Sequence, residues 1–101
     1  MAQIVWTEPA LSDLDAIADY IALDKPAAAS ELVARVFAHV AQLSDFPKSG
    51  SRPREIRDSR YRQIVEPPCR VIYRQDGDRV LILHVMRSEQ RLRRSKLGRE
   101  I

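Results

Sequence analysis

The sequence predicts an α+β domain. An N-terminal strand is followed by an antiparallel helical hairpin, which packs on a small, mainly antiparallel sheet of three to four strands, in the order β-α-α-β-β-β. Three observations carry this. Apolar residues recur at spacings of three and four in two stretches between residues 11 and 43. Two strand-like runs, 69–74 and 79–86, flank Asp76-Gly77, a strong hairpin signal. The chain has 101 residues, 45% of them apolar, which suits one domain (1–101) with one modest core and excludes a disordered chain.

Each element has its own warrant. Gln3 to Trp6 is a short β-prone run. Thr7 offers a hydroxyl cap to a following helix, and Pro9 is tolerated in a first helical turn. Leu11, Leu14, Ile17, Ala18 and Ile21 then mark one helical face. Asp24-Lys25-Pro26 breaks this helix, with Asp24 expected as N-cap of the next. Ala29, Leu32, Val33, Val36, Phe37, Val40 and Leu43 form the second stripe, which Pro47 and Gly50 end. A polar connection follows over residues 47–60, and Tyr61 to Val65 resumes a strand. Pro67-Pro68 cannot sit in a central ladder and separates that strand from Cys69–Arg74. In the last strand Val80, Ile82, His84 and Met86 are expected to alternate with Leu81, Leu83 and Val85. It is apolar on both faces and therefore expected to be central. Residues 88–101 form a basic tail, either a short helix from about Gln90 to Leu97 or a mobile end. Nothing obvious in this pattern covers the sheet face away from the helices, so a partner is expected there.

Lys and Arg number 17 against 14 acids, and the sequence pI is about 9.4. The excess is uneven. Glu8, Asp13, Asp15, Asp19, Asp24 and Glu31 face only Lys25 in the first third, whereas the tail is rich in arginine. Such asymmetry steers a chain toward nucleic acid or an acidic protein. Arg60, Arg62, Arg70, Arg74, His84 and Arg87 lie along or beside the strands, as an expected line of cations for an anionic partner. One cysteine excludes an internal disulfide, and two histidines give no zinc-ligand spacing. Cys69 reads as a small buried hydrophobe. The N-terminus lacks a signal-peptide pattern, and no apolar run approaches the roughly 18 residues of a membrane span, so a cytoplasmic protein is expected.

Leu14–Ala22, Pro26-Ala-Ala-Ala29 and Leu43-Ser-Asp-Phe-Pro47 are similar to the helical hairpin of the RelE/ParE superfamily of toxins from type II toxin–antitoxin pairs. Tyr61-Arg62 with Cys69–Arg74 resembles that family's strand pair, and Val80–Arg87 resembles its final strand. The resemblance implies one of two activities, ribosome-dependent cleavage of messenger RNA or inhibition of DNA gyrase. It also implies neutralisation by a cognate antitoxin that contacts operator DNA, with no cofactor and no metal.

Metal-free RNA cleavage needs a base, a cation and an acid around the phosphate. Ribonuclease members place His or Tyr near the end of the last strand, where this chain has Arg87, a phosphate clamp but a poor proton shuttle. The ParE-like, gyrase-inhibiting branch is therefore the favoured expectation. The alternative enzyme would use Arg70, His84 and Arg87. His84 also reads as a structural histidine beside the core, and Glu66 as a solvated loop acid rather than a general base. Arg60, Arg62, Arg70, Arg74 and Arg87 are the candidates for target or anion binding. Trp6, Leu11, Tyr73, Leu83 and Leu92 are the candidates for antitoxin contact, along an apolar groove between sheet and helices.

Overall fold

The computed structural model describes residues 1–58 and 60–97. Its elements are β1 (Gln3–Trp6), α1 (Glu8–Ala22), α2 (Pro26–Ala41), β2 (Tyr61–Glu66), β3 (Cys69–Asp76), β4 (Arg79–Arg87) and a four-residue α3 (Arg94–Leu97). The expected order holds, and the sheet runs β1-β4-β3-β2. β4 is central, as its two apolar faces required. The β2–β3 and β3–β4 pairs are antiparallel. β1 pairs with β4 in parallel because the whole helical hairpin lies between them in the chain.

Thr7 does what its position predicts. Its hydroxyl oxygen accepts from the Ala10 N–H at 3.4 Å and donates to the Ile82 carbonyl at 2.6 Å, tying the start of α1 to β4. Asp24 does not cap α2. Lys25 holds the N-cap position without a side-chain hydrogen bond, and Pro26 needs no N–H partner in the first turn. α2 ends at Ala41, before Pro47, and a 3-10 turn over Gln42–Ser44 places Leu43 in the core.

The sheet buries apolar residues on both faces. On the helix side Leu14, Leu32, Val36, Val40, Val71, Tyr73, Val80 and Ile82 form one cluster. On the other side Ile56, Tyr61, Ile72, Leu83, Met86, Leu92 and Leu97 form a second. The expectation of an uncovered face is therefore corrected. Residues 47–58 of the connection and 88–97 of the tail fold over it, each inserting isolated apolar side chains between exposed polar ones. Leu92 and Leu97 are as buried as core residues, and the helix within the tail is shorter than expected. Ile101, the third apolar position of the tail, lies outside the described residues.

The alternation expected for β4 also changes midway. Ile72 pairs with His84 but Tyr73 pairs with Ile82, so Leu83 is an extra residue on β4. This bulge turns Val85 to the helix side and Met86 to the other. No helix in the described residues is long and apolar enough to cross a membrane.

Candidate functional site

The cations on the sheet are engaged inside the protein. Arg70, on β3, is buried by the tail and the connection. Its Nη1 donates to Glu55 Oε1 at 3.1 Å and Gln63 Oε1 at 2.9 Å, and its Nη2 donates to Glu55 Oε2 and, at 2.7 Å, to the Gln90 carbonyl. Glu55 also accepts the Leu92 N–H at 3.0 Å. One guanidinium thus joins β2, β3, the connection and the tail. The Arg70 hydrogen bonds hold the Glu55 carboxyl down at about 2, against a burial effect in the opposite direction. A carboxylate that acidic, with both oxygens occupied, is a poor base near neutral pH.

The neighbouring arginines follow the same rule. Arg74 donates twice to Asp76, at 3.0 and 2.7 Å, and lies 5.9 Å from the Tyr61 ring. Its pKa is raised, first by the Asp76 hydrogen bonds. Arg60 clamps Asp58, whose carboxyl falls to about 2 mainly through that hydrogen bond, and its guanidinium lies 5.5 Å from the Tyr61 ring centroid. Arg62 donates to the Gly50 carbonyl at 2.9 Å. Arg87 is half-buried and packs over Tyr20, 5.3 Å from its centroid.

His84 is 8% exposed, in the place expected of a structural histidine. Its Nδ1 meets Asp13 Oδ2 at 2.9 Å and its Nε2 meets the Lys96 carbonyl at 3.3 Å. The same Asp13 oxygen accepts the Val85 N–H at 3.1 Å, satisfying β4 beyond the end of β1. Glu66 ends β2 and is not a loop acid. It bridges Arg35 at 3.2 Å and His39 at 3.1 Å on α2. Cys69 is fully buried, and burial pushes its thiol pKa up, away from a reactive thiolate.

Of the five residues expected to meet an antitoxin, three are interior. Tyr73 is fully buried, donates to the Pro47 carbonyl at 2.8 Å and accepts the Gly50 N–H at 3.0 Å. Leu83 lies beneath the tail, and Leu92 is one of the tail's own side chains turned inward onto the sheet. Their alternating or amphipathic pattern marked them as apolar, but the cover over the second sheet face removes them from the surface. Trp6 and Leu11 remain accessible. Trp6 packs on Phe37 at 4.7 Å between centroids with the rings tilted by 43°, and Leu11 is exposed.

Sequence reasoning missed Tyr20 and Leu23, which are 68% and 86% exposed at the end of α1. Their position just before the helical break was the available signal. Tyr20 and Arg87 line a recess of about 410 Å³ with Ile21, Leu23, Asp24 and Lys25. A shallow groove of about 430 Å³ between α1 and α2 is floored by Ala18, Ala22, Ala29 and Val33. Tyr20 and Leu23 thus border a recess with the half-buried Arg87 guanidinium at its edge, while the groove between the helices is lined by small apolar side chains.

The strand order, the helical hairpin and a sheet whose Arg70 and Arg74 are paired internally define a small α+β domain. The family model for the ParE toxin of the type II toxin–antitoxin system parDE matches residues 4–92, and the chain belongs to that family. Protein Y4kP of Sinorhizobium fredii (strain NBRC 101917 / NGR234) is 41% identical over 87% of this chain and 90% of its own. Toxin RelE2 of Caulobacter vibrioides (strain ATCC 19089 / CIP 103742 / CB 15) is 36% identical over 86% of this chain and 92% of its own. A solved chain of the chromosomal ParDE toxin–antitoxin system from P. aeruginosa superposes with a TM-score of 0.75 and 28% identity, covering 88% of this chain and 98% of that one.

Proposed function

We propose that this toxin acts by binding DNA gyrase, without cleaving RNA, and that a cognate antitoxin holds it in check in the cytoplasm and carries the complex to operator DNA. The carrying observation is the state of the groups a ribonuclease would use. Arg70 is consumed by Glu55 and Gln63, His84 bridges Asp13 and the tail backbone, and position 87 holds an arginine packed on Tyr20. Of these, only Arg87 keeps a partly accessible charged group, and arginine does not exchange protons near neutrality. The match to the ParE family model supports the same reading.

The alternative enzyme would pass its protons through His84. His84→Gln keeps a side chain able to hydrogen-bond but removes the titrating ring. Growth arrest by this variant is expected to equal that of the parent protein. Loss of arrest in a variant with unchanged melting temperature would transfer the assignment to RNA cleavage.

The antitoxin is expected to lay an amphipathic segment on the hairpin face around Leu11, Tyr20, Leu23 and Phe37, beside Trp6. Leu23→Asp places a charge on that face without disturbing the core. It is expected to weaken antitoxin binding at least about tenfold, or roughly 1.4 kcal/mol, with melting temperature unchanged. Isothermal titration with the purified antitoxin measures it, and unaltered affinity would place the antitoxin elsewhere.

A further inference from the structure

Two segments remote in sequence form the layer over the second sheet face. Ile56, Leu92 and Leu97 turn inward and anchor it. Arg52, Arg54 and Arg57 on the first segment, and Arg91, Arg93 and Lys96 on the second, are all exposed. The segments are held side by side by the Leu92 N–H to Glu55 bond and by Arg94, whose Nη2 stands 3.9 Å from Asp58 Oδ2. Arg54 and Arg91 line one recess of about 410 Å³ with Glu55, Glu89 and Gln90.

The acids within this layer subtract little from it. Glu55 is neutralised by Arg70 from below, Asp58 is clamped by Arg60, and exposed Glu89 stands against six exposed cations. The opposite side of the molecule carries exposed Glu8, Asp15, Asp19, Asp24 and Glu31 on the helices. The protein is thus electrically two-sided, which orients it in the field of a polyanion.

We propose that this layer is a binding surface for the phosphate backbone of duplex DNA. Guanidinium groups match phosphate oxygens two at a time. Binding of unpaired RNA would call for aromatic side chains on which bases stack. Among the described residues, the 52–58 and 88–97 segments contain no aromatic residue, and the neighbouring Tyr61 is 4% exposed beneath arginines. The surface meets the Tyr20 edge of the hairpin only at Glu89 and Gln90, and the inference does not rest on gyrase being the target.

The test is fluorescence anisotropy of a labelled duplex of about 30 base pairs and arbitrary sequence, titrated with antitoxin-free protein over a range of salt concentrations. Binding is expected to weaken linearly in a log–log plot with a slope of about −3 to −5, at roughly 0.9 per phosphate neutralised. The triple variant Arg54→Gln, Arg57→Gln, Arg91→Gln is expected to lose at least about tenfold in affinity and to flatten the slope by about 2 to 3. Arg79→Gln, exposed beside the β3–β4 turn, is expected to change neither. Circular dichroism melts verify that each variant is folded. Failure of the folded parent protein to bind duplex, indifference to the triple substitution, or preference for single-stranded RNA of the same length would each overturn the proposal.

Discussion

Glu55→Ala is expected to destabilise the fold by about 3–5 kcal/mol, because it leaves the Arg70 guanidinium buried without its counter-charge. The Arg70 side chain is only 5% exposed, so water cannot take over from the lost carboxylate. The same change removes the acceptor of the Leu92 N–H and loosens the tail from the connection. Replacing both partners together, as Glu55→Leu with Arg70→Met, is expected to recover most of the loss, since buried pairs often gain little over apolar residues of similar volume. Urea denaturation of the two singles and the double completes this cycle. Equal losses in single and double variants would show that the pair is not the seat of the effect.

The pair also sets a pH dependence. The Glu55 carboxyl is lowered from 4.5 to about 2 in the folded protein. The folded state therefore binds fewer protons than the unfolded chain at intermediate acidity. The stabilisation is complete above about 4.5 and is lost as pH falls toward about 2. Asp58 acts in the same direction but faces solvent, where screening weakens it. Stability of the parent protein is expected to fall across this window, and Glu55→Gln is expected to show a shallower fall.

Gly50→Ala is expected to cost about 3 kcal/mol or more and to lower the melting temperature by roughly 12 °C or more. A Cβ at this position would stand 2.5 Å from the Gln63 carbonyl oxygen, 2.6 Å from Tyr73 Oη and 2.8 Å from Tyr73 Cε1. The carbonyl cannot retreat, because it accepts the Ser51 N–H at 2.9 Å in an isolated bridge beside β2. The tyrosine cannot retreat without leaving the Gly50 N–H and the Pro47 carbonyl unpaired in the interior. Tyr73→Phe removes only these hydrogen bonds and is expected to cost about 1–3 kcal/mol. Thermal melts of both variants measure this, and an unchanged melting temperature for Gly50→Ala would refute the close approach.

The elements with a strict period were legible in the sequence. The two helical stripes, the Asp76-Gly77 hairpin and the central position of β4 follow directly from apolar spacing, and Gly77 takes the positive φ of 59° that its turn requires. What could not be read depends on contacts between aperiodic segments. Ile56, Leu92 and Leu97 are single apolar residues among charges, so nothing in their neighbourhood marks them as a cover for the sheet. Glu55 likewise lies in a polar connection, 15 residues from the arginine it neutralises, and that pairing turned an expected row of surface cations into an internal network. The bulge at Leu83 carries no glycine or proline to announce it, yet it decides which way Val85 and Met86 point. The line of cations was expected along the strands, whereas in the fold the exposed arginines of the 52–57 connection and of the tail lie over the second sheet face.

The measurement that bears most directly on the function is a gyrase supercoiling assay with the purified, antitoxin-free protein, run beside a ribosome-dependent messenger RNA cleavage assay. The account predicts inhibition of supercoiling that stoichiometric antitoxin reverses, with the messenger RNA left intact. Unimpaired supercoiling in the presence of folded protein, together with cleavage of the messenger RNA, would contradict it.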